Sequence, residues 1–250
     1  MGPFKAAFIN EIEKMYRKKK AVVVVIISLL AIVMGQLMVT GISTGFGLRA
    51  ASGMQFPIMV LSLFISTILP LFTALVTIDI FSGEFSHNTM KIALLRPITR
   101  LKLYTAKISA IAFFVLANLL VVMVLSTLTG ILFNSVSLSA VGLFRILLSY
   151  LVTLVPVMAL ALVIVFLANI FKSSTAVFFL SIILFIVFNG LAIVFPRYAS
   201  LFITSMFDWY NLWLAYSIPV SKLVREFLIM AGYAIMFYTA GYYLYDKKDL

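Results

Sequence analysis

The sequence predicts an all-α polytopic membrane protein, a single membrane domain over residues 1–250. Its expected parts are six transmembrane helices, an N-terminal interfacial amphipathic helix, a helical cytoplasmic loop and an outer re-entrant helical hairpin. Three observations carry this. First, 64% of the 250 residues are hydrophobic and only 11% are charged, against roughly 45–50% and about 25% in a soluble domain. A soluble fold of this length cannot hide so much apolar surface, so lipid is the solvent over most of the chain. Cytosolic enzymes, secreted modules and disordered tails are excluded. Second, the apolar residues gather in runs near the ~20 residues that a membrane helix needs. The runs are continuous rather than alternating, which excludes a β-barrel. Third, Lys and Arg are shared unevenly between the connecting segments.

The six runs cover residues 21–41, 56–81, 108–133, 146–171, 175–195 and 227–245. The first is too long for the core of a signal peptide, which spans about 7–15 residues, and lacks a clear small-residue cleavage site; it reads as a retained span. Six spans put both termini on one side. Fourteen of the 19 Lys and Arg fall on that side, including Lys5, Lys14, Arg17 to Lys20, Lys91, Arg96, Arg100, Lys102 and Lys107. Cations stay where translocation is not required, so both termini are expected in the cytoplasm. The net charge of +11 then reads as topology and contact with anionic membrane lipid, not as binding of nucleic acid.

Ahead of the first span, Phe4, Phe8, Ile12, Met15 and Tyr16 share a helical stripe, with Glu11, Lys14, Arg17 and Lys18 off it and Lys5 intruding. That pattern predicts a helix lying along the inner leaflet. Between spans two and three, Glu84, His87, Asn88 and Lys91 recur at helical spacing. Pro97 sets a corner, and Thr99 is placed to cap the next helix. A folded, mixed-charge helix on the cytoplasmic side suggests that something docks there. Between spans five and six, Tyr198, Trp209, Tyr210, Trp213 and Tyr216 lie in a stretch too polar for a span and too apolar for an open loop. Such aromatic residues favour the membrane interface; short helices dipping into the outer leaflet are expected. Pro70 and Pro156 fall inside spans two and four and are set to bend them.

Catalytic constellations are missing. The chain has no Cys and one His, His87, so neither a zinc-protease H-E-x-x-H motif nor an intramembrane Ser-His dyad exists, and G-x-S-x-G is absent. No Gly-Lys dipeptide occurs, so no Walker phosphate loop is present and the chain is expected to bind no cofactor or metal. Of the carboxylates, Asp79 lies within a run, near its inner end, where it suits an interfacial network with Arg96, Arg100 and Lys107 better than a midplane proton site. Asn118 and Asn189 are polar and mid-span. They serve either interhelical hydrogen bonds or a polar spot on a substrate pathway.

The stretch Asp79-Ile-Phe-Ser-Gly-Glu84-Phe-Ser-His-Asn-Thr89-Met-Lys-Ile-Ala-Leu94-Leu-Arg-Pro97-Ile-Thr-Arg100, followed by Lys107, resembles the signature of ABC-2 type exporter permeases. The N-terminal helix, the six spans and the terminal Tyr243-Leu-Tyr-Asp-Lys-Lys-Asp249-Leu are similar to that family too. One departure is Asn88, where the family commonly has Gly; Asn tolerates unusual backbone angles. The resemblance implies a permease subunit of an ATP-binding-cassette exporter in a prokaryotic plasma membrane. Two such subunits, identical or related, would form the pathway, with separate ATP-binding subunits carrying ATP and magnesium. It also implies a coupling helix at residues 82–95, with Glu84, Phe85, His87, Asn88, Lys91 and Ile92 as contacts to the ATPase. The cargo would be an antimicrobial peptide, an antibiotic or another small amphiphile. A non-transporting scaffold or sensor, or an ATP-independent secondary transporter, is the alternative.

Overall fold

The computed structural model describes residues 2–17, 20–46, 54–86, 98–134, 139–171 and 173–247. Among these there are helices and turns and no strand. In chain order they form α1 (Pro3–Arg17), α2 (Lys20–Phe46), α3 (Phe56–Leu63), a π-helical turn (Phe64–Ile68), α4 (Leu69–Ser86), α5 (Arg100–Phe133), α6 (Ala140–Ile170) and α7 (Ser174–Val194). Two 3₁₀ turns (Pro196–Leu201 and Ile203–Asp208), α8 (Trp209–Leu214) and α9 (Val220–Asp246) follow. Six helical stretches are long and apolar enough to cross a membrane: Val22–Gly45, Phe56–Gly83, Arg100–Phe133, Ala140–Ile170, Ser174–Val194 and Val220–Asp246. Each coincides with one predicted run, and the chain is a multi-pass membrane protein.

Three spans begin earlier than their apolar runs. α5 starts at Arg100, because the Thr99 hydroxyl accepts from the Lys102 amide at 3.4 Å and nucleates the helix before the chain turns apolar. α6 starts at Ala140 and α9 at Val220, directly after Pro219. Capping and Pro chemistry fix where a helix starts; hydropathy fixes only where lipid contact starts.

Span two is continuous from Phe56 to Ser86 through the π turn. Pro70 supplies no N–H to the ladder, and the wider turn just ahead of it accommodates the break. There the Ser66 hydroxyl donates to the Ser62 carbonyl at 2.8 Å and the Thr67 hydroxyl to the Leu63 carbonyl at 2.6 Å.

α6 is the hub and the most buried span, packing on α3, α4, α5, α8 and α9. Inside it, the Tyr150 hydroxyl donates to the Pro57 carbonyl at 2.8 Å and meets the Ser126 hydroxyl at 3.1 Å, which ties α6 to α3 and α5. α7 and α9 leave most of their surface outside the chain. α1 and the end of α9, with the two flanks of the 87–97 segment, gather at one end of the bundle; the 3₁₀ turns and α8 fold against the other.

Candidate functional site

The end of α4 and the N-terminal α1 meet Lys107 near the start of α5, and the end of α9 packs on the neighbouring Tyr104 and Arg100. Lys107 is fully buried. Its Nζ donates to the Ile80 carbonyl of α4 at 3.0 Å, lies 3.6 Å from Glu11 Oε2 of α1, and sits 5.7 Å from the centre of the Phe81 ring. Glu11 is 2% exposed, and its other oxygen accepts from Lys14 Nζ at 2.8 Å. Burial works against the Glu11 carboxylate, but Lys107 and Lys14 outweigh it and hold its pKa below the ordinary 4.5. A buried ion needs such partners to stay charged.

Glu11 corrects the expected orientation of α1. The sequence put it off the apolar stripe; the structure buries Ala7, Glu11 and Met15 together against α5 and leaves Phe4 and Tyr16 exposed. The physical reason is Lys107. An intrahelical cation flanked by Ala106, Ile108 and Ala110 needs an anion, and Glu11 rotates the helix to supply it.

An aromatic shell closes over the pair. The Tyr104 ring packs 5.6 Å from Phe81, 5.3 Å from Tyr238, 5.6 Å from Tyr242 and 5.4 Å from Tyr245, and its hydroxyl donates to the Tyr238 carbonyl at 3.2 Å. Gly241 permits this approach: a β-carbon there would lie 2.5 Å from the Tyr104 hydroxyl. One turn nearer the loop, Arg100 donates to the Asp246 carbonyl. Ser82 donates to the Ala168 carbonyl of α6 at 3.3 Å. Sequence reasoning missed Glu11, Tyr104 and Gly241. The signal for the first was Lys107 itself, a cation inside a helix with no acid on its own turns.

The structure brings Lys107 and Arg100 onto one face of α5, seven residues apart, and places half-buried Asp79 beside the carbonyl that Lys107 holds. Arg96, His87, Asn88, Lys91 and Ile92 lie outside the described residues, and Glu84 and Phe85 fall in the last turn of α4. Asn118 is buried and lines a cleft between α1, α2 and α5, its amide donating to the Phe114 carbonyl at 2.7 Å. Asn189 is exposed on α7, where it donates to the Phe185 carbonyl at 2.9 Å. At the opposite end, Gln36 and Asn134 exchange side-chain amide bonds of 3.3 and 3.1 Å between α2 and the end of α5.

Chemically, the junction is a fastening. It locks both flanks of the 87–97 segment, the N-terminal helix and the C-terminal helix to one another. A family model described as ABC-2 family transporter protein matches residues 7–190 of the chain. No curated protein matches it.

Proposed function

The chain belongs to the ABC-2 family of transporter proteins, and from that premise we propose that it is the permease subunit of an ATP-driven exporter. Two permease chains pair around the pathway, and two separate ATP-binding subunits dock on the 82–95 segment from the cytoplasm. ATP and magnesium act on those partner subunits; this chain supplies the path and the levers. A small amphiphile such as an antimicrobial peptide or antibiotic is the favoured cargo.

One observation carries the reading. Both flanks of the proposed coupling element are clamped in a single junction: Ile80 and Phe81 before it, and Arg100, Tyr104 and Lys107 after it. A docking element on a slack tether would move without moving the spans. Clamped at both ends, it passes displacement into α4, α5 and α9, and through Glu11 into α1.

The test compares Phe85→Ala with Lys172→Ala. Phe85 and Ile92, seven apart, are the proposed apolar anchors, of the kind that dominate interfaces; Glu84 and Lys91 act as rim charges. Phe85→Ala is expected to lower retention of the ATP-binding subunit in a pull-down, or to uncouple hydrolysis from transport, with membrane insertion intact. Lys172→Ala, in the short turn between spans four and five, is expected to do neither. Equal behaviour of the two variants reduces the segment to a connector and favours a scaffold. For orientation, cysteines at Ser43 and Ser137 are expected to react with an impermeant reagent from outside, and one at Ser173 is not; outside labelling at Ser173 overturns the topology.

A further inference from the structure

Of the amide side chains within the described spans, Gln36, Asn118 and Asn169 are buried, and Asn189 on α7 is exposed. One N–H of Asn189 donates to the Phe185 carbonyl of its own helix at 2.9 Å. Among the described residues its other N–H and its Oδ1 have no partner. The exposed hydroxyls of Ser66 and Thr67 spend their one proton within their own helix, but an amide has two donors and an acceptor, and one carbonyl does not satisfy it. Asn189 lies about 7 Å along the axis from the end of α7, and the exposed residues beyond it, Ile193, Val194 and Phe195, are apolar. Hydrocarbon supplies none of the missing bonds, so a polar partner must.

The neighbours of Asn189 have the spacing of a helix seam. Phe179, Ile182, Ile186, Asn189 and Ile193 follow one another at alternating steps of three and four residues, the repeat by which one helix packs along another. Ile182 is half-buried toward α4 and α6. Ile186 and Ile193 are exposed, so the seam lies open on both sides of Asn189. A single Asn in such a seam pairs at its own level and so fixes the register. In lipid it also contributes to association, because apolar residues gain little there by leaving the acyl chains. The exposed face of α2, which includes Leu30, Val33 and Leu37, is apolar and lacks this demand.

Symmetry names the partner. Two copies inserted with one topology hold their α7 helices parallel, and a two-fold axis along the membrane normal brings position 189 to its own counterpart. An amide carries donor and acceptor together, so each copy completes the other. A different chain does so only with an amide at the same level.

We propose that α7 is the seam of a homodimer, packed along Ile186, Asn189 and Ile193, with the two Asn189 amides bonded to each other. The proposal rests on the reading that permease chains pair; it names the partner as an identical chain and the face as α7.

The chain has no cysteine, so single cysteines report position without interference. In native membranes oxidised with copper phenanthroline, Ile186→Cys and Ile193→Cys are expected to give a disulfide-linked dimer. Val187→Cys, exposed one step round the same helix, and Ile235→Cys, exposed on α9, are expected to give roughly tenfold less, being out of disulfide reach. On dilution of the purified full chain in mild detergent, followed by sedimentation, Asn189→Leu is expected to raise the dimer dissociation constant about three- to tenfold, the loss of one interhelical amide bond. Asn189 touches only its own helix, so leucine there leaves the fold intact. Equal cross-linking at Val187 or Ile235, or an unchanged dissociation constant in Asn189→Leu, overturns the proposal and leaves standing a pairing of permease chains by another face. A chain that stays monomeric alone and pairs only with a different permease overturns it as well. Neither measurement involves an ATPase or transport, so failure here is distinct from failure of the exporter reading.

Discussion

At the loop end of the bundle, Glu11 and Lys107 bury opposite charges 3.6 Å apart, on two elements far apart in sequence. At the hairpin end, Met206, Trp209 and Met230 pack with Val152 and Val155, Phe207 stacks on Phe185 at 6.2 Å, and the Trp209 indole donates to the Leu223 carbonyl at 3.4 Å. The hairpin end has its own buried acid, Glu226, but its partner Lys222 sits one turn away on the same helix at 3.9 Å, so that pair joins no two elements. The difference is mechanical. Apolar contacts slide past one another at a cost that grows gradually with exposed area. A buried ion pair that separates strands both charges, so it holds its elements in one arrangement or lets go. The loop end is therefore built to hold its elements in one arrangement, as the proposed transmission of displacement requires, and the other end to yield gradually.

The largest expected effect sets the two ends side by side. Glu11→Ala leaves Lys107 buried without its carboxylate and is expected to cost about 3–5 kcal/mol. Trp209→Ala leaves a cavity under the hairpin and costs a similar amount, about 3–5 kcal/mol. Thermal unfolding reports both losses. Hydrogen exchange separates them: only Glu11→Ala is expected to release protection in α1. Loss of α1 protection in Trp209→Ala would erase the distinction between the ends.

A smaller effect sharpens the loop end. Gly241→Ala drives a β-carbon against the Tyr104 hydroxyl and is expected to cost about 1–3 kcal/mol, as overpacking does. Adding Tyr104→Phe removes the colliding atom, and the double variant is expected to regain most of the stability. If it regains none, the close approach is not the cause.

The smallest effect within the working range is on pH. Because the Glu11 pKa is lowered on folding, its contribution is fully present above about 4.5 and is lost as the pH falls through the lowered folded value. Protection of α1 is expected to be flat from neutral pH down to about 5 and to fall below 4.5, with Glu11→Gln insensitive throughout. A transition near neutral pH would place the controlling group elsewhere.

The six spans were legible because hydropathy over ~20 residues is a local property of the chain. Their starts were less uniformly so: the cap at Thr99 was legible and the structure bears it out, whereas Val220 begins a helix directly after Pro219, whose effect is conformational rather than apolar. The amphipathic pattern revealed α1, and Phe8, Ile12 and Met15 of its stripe do pack on the core, but a stripe of Phe and Ile cannot announce that a carboxylate is buried by a cation 96 residues later. Tyr104 carries no signal of its own in the sequence, because its place depends on Gly241, far along the chain, which makes room for it. The loop signature pointed to the family from residues whose placement it did not need, which is why the family was easier to read than the junction.

A double-mutant cycle between Glu11 and Lys107 tests the proposed force-bearing role of the junction most directly, read as ATP-driven transport in vesicles containing the proposed partner ATPase and as thermal stability of the same preparations. Glu11→Ala and Lys107→Ala are each expected to lower both, and the double variant to be no worse than the poorer single, with a coupling of about 0.5–3 kcal/mol between the sites. Strictly additive losses, or transport that stays coupled to hydrolysis in both single variants, would contradict it.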